Sequence, residues 1–87
     1  MFVLMFYDVG EKRVAKVLKV ARRYLAWIQN SVLEGDLSPA RLESLKIDVN
    51  KVIDPEYDSV LFYVWRAERY MKREVLGVEK SVVDYMI

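Results

Sequence analysis

The chain of 87 residues contains no cysteine and no histidine. Without thiols it forms no disulfide, and without thiolate or imidazole it builds no zinc site of the usual kinds. The same absences remove a Ser-His-Asp triad, a Cys-His pair and a histidine general base. Any catalysis is left to carboxylates, Lys, Tyr, Ser or a metal held by oxygen. Long apolar runs are missing too, and none approaches the roughly 20 residues of a membrane-spanning helix. The apolar start, Phe2 to Tyr7, is short, follows no basic segment and ends at Asp8, unlike a secretory signal. We therefore expect a soluble, cytoplasmic protein with no membrane partner.

A strong charge imbalance is absent as well, since the formal net charge is only +1. Its distribution says more. Between Gly10 and Tyr24 stand six basic residues, Lys12, Arg13, Lys16, Lys19, Arg22 and Arg23, against one acid, Glu11. The acids gather later, at Asp48, Asp54, Glu56, Asp58, Glu68, Glu74, Glu79 and Asp84. Such a run is either a solvated helix face or a surface that meets phosphates.

The length predicts one domain over residues 1–87. A domain this small buries a little over ~60% of the surface exposed by its unfolded chain. Its hydrophobic content of 54% exceeds what so small a core absorbs, which points to a subunit interface.

Residues 2–9 are continuously apolar up to Asp8 and predict a strand buried on both faces. Val14, Val17, Leu18, Ala21 and Leu25 recur at helical spacing and predict a helix over 11–24, with Lys12, Lys16, Lys19 and Arg23 on another face. Residues 25–35 look extended, with either a bulge or a tight turn at Gln29-Asn30-Ser31. Ser38-Pro39 starts a second helix that runs to about residue 53. Residues 58–66 predict a strand, 74–78 a short one, and 81–87 form an apolar tail. This order fits an α+β domain, a ferredoxin-like βαββαβ unit with an additional C-terminal strand. Its antiparallel sheet would carry two helices on one face, and a second copy of the chain is the simplest cover for the other. The tail 81–87 is expected to pair with a sheet edge, its own or the partner protomer's.

Asp8 ends a buried strand just before a helix, where an aspartate serves either as a cap or as a ligand for a hard cation. One carboxylate is a poor metal site. Two copies of Asp8 facing each other across a dimer axis would repel unless a divalent ion lay between them. Metal-assisted phosphodiester hydrolysis would then be the most economical nuclease chemistry left to a chain without histidine. Tyr7 and Ser31 are possible supports of that site, with packing and turn roles as alternatives; alternation sends Tyr7 to the face opposite Asp8. Lys12, Arg13, Lys16, Lys19 and Arg23 are the candidate nucleic-acid contacts. Trp27 and Trp65 read as core or interface residues. Gly77 to Ser81 contains Gly, Lys and Ser but lacks phosphate-loop spacing.

Several segments together resemble a known family. They are Phe6-Tyr7-Asp8-Val9, then Lys12-Arg13-Val14 and Lys16-Val17-Leu18, then Trp27 to Gly35, which is similar to the family segment Gln-x-Ser-Val-Phe-Glu-Gly. Asp58 to Tyr63 and Val75-Leu76-Gly77 continue the match. The chain resembles the small CRISPR-associated Cas-two family over nearly its whole length. The resemblance implies a ferredoxin-like homodimer with exchanged C-terminal strands and a metal-associated Asp8 paired across the two-fold. It implies Mg2+, or alternatively Mn2+, as cofactor. It also implies endonuclease activity on single-stranded RNA or duplex DNA, and a scaffold role in CRISPR spacer acquisition. In that role the dimer bridges the integrase subunit and holds duplex DNA. Leu33 replaces the usual Phe, Trp27 stands where a basic residue is common, and Gly10 where Ser or Thr is common. A toxin-type ribonuclease or a ligand-sensing module outside CRISPR systems is the alternative reading.

Overall fold

A computed structural model describes residues 1–67 and 70–80. The order is β1 (Phe2–Asp8), α1 (Glu11–Ala21), β2 (Ala26–Gln29), β3 (Val32–Asp36), α2 (Pro39–Asn50), β4 (Ser59–Ala67) and β5 (Tyr70–Gly77). They build one sheet in the order β2-β3-β1-β4-β5, with every neighbouring pair antiparallel. The first four strands have the ferredoxin-like arrangement, and β5 extends the sheet beside β4. The expected α+β class and helix count hold.

The sheet has two unlike faces. Val3, Met5, Tyr7, Leu33, Val60, Phe62 and Val64 join Val17, Val20 and Ala21 of α1 and Leu42, Leu45 and Val49 of α2 in the main core. The opposite face carries a smaller cluster of Phe6, Val32 and Leu61, flanked by half-buried Leu4, Tyr63 and Val75. On that face the Trp65 and Phe2 rings meet at a tilt with centroids 5.7 Å apart, and the Tyr63 ring centroid lies 6.1 Å from that of Trp65. Strand β1 is therefore buried along its whole length only towards the helices; on the other side Phe6 is buried, Leu4 and Asp8 are half-buried and Phe2 is exposed. The expectation of burial on both faces holds for one side, because two helices are too few to cover both.

Local chemistry accounts for the element ends. Ser38 caps α2, its hydroxyl accepting the Arg41 N–H at 3.2 Å, and Pro39 opens the first turn. Asn30 supplies the positive φ of 43° in the tight turn between β2 and β3, with a register shift between Trp27 and Gln29. Both the turn and the bulge are therefore present. Helix α1 stops at Ala21, three residues before the expected end, and residues 22–24 form a turn. Val14, assigned to the apolar stripe, is exposed. Strand β5 begins at Tyr70, four residues earlier than expected. Its first half, Tyr70 to Arg73, is exposed and ends in two basic residues, a composition that an edge strand accepts. The tail 81–87 lies outside the described residues.

Candidate functional site

Alternation along β1 sends Val3, Met5 and Tyr7 to the helical core and Phe2, Leu4, Phe6 and Asp8 to the other face. Asp8 pairs in register with Ser59 of β4, and its side chain retains 41% exposure. It stands at the rim of the half-covered apolar face, at the end of the sheet where β1 leads into α1.

That end is built on a neighbouring carboxylate, Asp58, which is fully buried. Its Oδ1 accepts the Gly10 N–H at 2.8 Å and Arg13 Nη2 at 3.0 Å. Its Oδ2 accepts Arg13 Nε at 2.5 Å and the Asp54 N–H at 2.7 Å. The Arg13 guanidinium first, then the backbone donors, hold the Asp58 carboxyl well below the usual carboxylate range, at about 2. Burial opposes them and is outweighed. The backbone of Asp58 takes part as well, its carbonyl accepting the Val78 N–H at 2.9 Å. One buried residue thus ties together the β1–α1 junction, the 54–58 turn and the end of β5. Gly10 suits this arrangement, since a Cβ there would meet Arg13 Nη2 at 2.4 Å.

Asp8 already has a cationic partner. Lys80 Nζ donates to Asp8 Oδ2 at 2.5 Å. The chain reaches this position by turning at Gly77, whose φ is +76°. A Cβ there would lie 2.0 Å from the Asp58 carbonyl oxygen, so only glycine fits the turn. Arg73 then fixes the segment: Nη2 donates to the Lys80 carbonyl at 2.7 Å, and Nη1 meets Glu79 Oε1 at 2.7 Å. Arg73 lies opposite Tyr63 in the β4–β5 ladder, on the half-covered face. Its hydrogen bonds to Glu79 and Tyr63 raise its pKa.

The other expected site residues are dispersed. Lys12, Lys16, Lys19, Arg22 and Arg23 are exposed around α1, on the helical side of the sheet. Among the described residues Lys12, Lys16 and Lys19 have no ion pair. Arg13 belongs to a different arrangement, since Asp58 takes its Nε and Nη2. Tyr7 is only 3% exposed and lies in the main core, where burial raises its pKa; its backbone N–H donates to the Ser31 carbonyl at 3.1 Å. Ser31 sits in the β2–β3 turn, so its link to β1 runs through that carbonyl. Trp27 is no core residue: it is 48% exposed, its Nε1 donates to the Asn30 carbonyl and Arg22 stacks over its ring.

Asp58, Arg73 and Lys80 were not among the residues singled out from sequence. An acid immediately before an apolar strand was the available signal for Asp58, and the opposite charges of Arg73 and Glu79 the signal for their contact. Neither is specific.

The arrangement can be tested for a divalent cation. No group of three acidic side chains converges among the described residues. One carboxylate bound to an ammonium does not make a magnesium site, so a single chain does not fit the ion as it stands.

Comparison with known proteins gives concordant results. The family model described as CRISPR associated protein Cas2 matches residues 1–73. A Thermotoga maritima protein named CRISPR-associated endoribonuclease Cas2 is 59% identical over 81 residues, which is 93% of each chain. A solved crystal structure of cas2 superposes with a TM-score of 0.73 at 41% identity, covering 93% of this chain and 91% of the other. The Streptococcus pyogenes Cas2 crystal structure gives 0.69 at 35% identity, covering 75% and 86%.

Proposed function

Since the chain belongs to the CRISPR-associated protein Cas2 family, we propose that it works in CRISPR adaptation as a homodimeric scaffold for duplex nucleic acid. The same dimer would carry a phosphodiester-cleaving centre at Asp8. The observation that carries this reading is the half-covered sheet face with Asp8 on its rim. Leu4, Phe6, Val32, Leu61, Tyr63, Trp65 and Val75 form an apolar surface over which the described residues place no further layer. A second copy laid on this face removes it from water and brings a second Asp8 to the same interface. Two carboxylates then face one ion, which a single chain cannot offer. Magnesium, which uses one or two carboxylates and keeps several waters, suits such a pair. When bound it supplies Lewis acidity for phosphodiester hydrolysis.

The chain's own residues divide the remaining work. Asp58 and Arg13 fix the β1–α1 junction and hence the end of the strand that presents Asp8. Lys12, Lys16, Lys19 and Arg23 offer an exposed cationic surface to the phosphate backbone, a contact that sets affinity without reading sequence. That surface lies on the helical side, leaving the apolar face for the second copy. Docking of the integrase subunit would use the outside of the same dimer.

The test is cleavage of labelled single-stranded RNA and duplex DNA in magnesium, with wild type and Asp8→Asn in parallel. We expect cleavage by wild type, its loss in Asp8→Asn and unchanged duplex binding in both. Equal cleavage by the two proteins would remove Asp8 from the chemistry.

A further inference from the structure

The helical side of the molecule carries a hollow that neither the sheet-face dimer nor the Asp8 rim uses. Its volume is about 370 Å³, and Ala15, Leu18, Lys19 and Arg22 of α1 line it. Their spacing puts all four on one face of the helix. Trp27 of the edge strand β2 stands beside that face. It pairs in register with Leu33, a core residue, so the indole lies on the helical side of the sheet. The Arg22 guanidinium sits 5.8 Å from its ring centroid. The ring is half exposed, yet its orientation is held, because Nε1 donates to the Asn30 carbonyl at 2.9 Å.

We propose that this hollow is a subsite for an unpaired nucleobase of single-stranded nucleic acid, stacked against the Arg22–Trp27 pair with its phosphate on Lys19. The inference rests on the reading of α1 as the nucleic-acid surface. Among the described residues the lining offers two cations and no acid, so it complements an anionic ligand. The Ala15 and Leu18 floor is apolar, which a phosphate alone does not need and a base does. A held indole beside a guanidinium is a pre-oriented flat platform, and bases stack on aromatic rings and guanidinium planes alike. Lys12 and Lys16 continue the cationic row from Lys19 along the helix and are exposed. A strand tracked by its phosphates along that row therefore delivers a base to the ring. Duplex bases are paired and stacked already, so the subsite favours an unpaired end or overhang without reading its sequence.

The experiment is titration of the full chain with a labelled single-stranded oligothymidylate of about eight nucleotides and with an abasic strand of equal length. Fluorescence anisotropy reads affinity, and intrinsic tryptophan fluorescence reads stacking. Wild type should bind the thymidylate more tightly than the abasic strand, with quenching by the thymidylate alone. Trp27→Leu keeps apolar bulk and removes the ring. It should weaken thymidylate binding about tenfold, equal to about 1.4 kcal/mol, leave the abasic strand unchanged and abolish the quench. Arg22→Met should weaken both strands and narrow the gap between them, and it serves if Trp27→Leu does not fold. Equal affinity of wild type for the two strands, binding of duplex alone, or a Trp27→Leu variant as tight as wild type would overturn the subsite and leave α1 as a phosphate surface. Failure of wild type to bind either strand or a duplex would overturn both. Quenching of Trp27 by an acidic, leucine-containing peptide and not by the thymidylate would also overturn it, giving the hollow to a protein segment.

Discussion

Replacing Asp58 by Asn should destabilise the protein by about 3 kcal/mol at neutral pH. The wild-type carboxylate is fully buried and accepts from Gly10, Asp54 and two nitrogens of Arg13. Its pKa falls from 3.8 to about 2, which is worth about 2 kcal/mol of folding free energy at pH 7. The amide also turns one acceptor into a donor facing donors, which adds an unsatisfied buried group at about 1 kcal/mol or more. The sign with pH follows from the depressed value. Below about pH 4 the unfolded chain takes up a proton that the native state refuses, so stability falls as pH drops from about 4 to about 2. Urea unfolding followed by circular dichroism, at fixed protein concentration from pH 7 to pH 2, measures both effects. Asp58→Asn should lower the midpoint at pH 7 and flatten the acid limb. Arg13→Met combined with Asp58→Asn should cost less than the sum of the two single changes, because they share one interaction. A loss below about 1 kcal/mol at pH 7, with an acid limb as steep as wild type, would refute the role given to this carboxylate.

Two further outcomes are expected. Reversing Lys12, Lys16, Lys19 and Arg23 to Glu together should weaken duplex binding and reduce the slope of log affinity against log salt by about 3 to 4; an unchanged slope in fluorescence anisotropy would make α1 merely a solvated surface. Gly77→Ala forces a Cβ towards the Asp58 carbonyl at a positive φ, costing about 2 kcal/mol and lowering the melting temperature by roughly 10 °C in a calorimetric scan. A melting temperature within a degree or two of wild type would mean that the turn relaxes.

Element order was legible because hydrophobic period is a local property. The run 2–9, the helical stripe of Val17, Leu18 and Ala21, and the Ser38-Pro39 start each state their conformation without reference to the rest of the chain. The end of α1 and the start of β5 were less legible, because charged residues at a helix end and on an edge strand obey weak local rules. Asp8 was visible as an acid between strand and helix, and the face it takes follows from alternation. Asp58 was hidden because its role depends on Gly10 and Arg13, 48 and 45 residues earlier. The Lys80 partner was hidden for the same reason at a separation of 72. Arg13 shows the converse error: a basic residue on a basic helix reads as a phosphate contact until a buried acid is found beside it.

The placement of Asp8 is a matter of parity. Odd-numbered residues from Val3 to Tyr7 enter the core, and even-numbered ones from Phe2 to Asp8 meet the other face. A single residue inserted between Phe2 and Tyr7 and passed along the strand would exchange the two sets, taking the carboxylate into the core and the tyrosine to the rim. Length changes in β1 are therefore compatible with the site only in pairs. Drift within this strand is confined to substitution, and the spacing from the first core valine to the acid is held by geometry before any chemistry is asked of it.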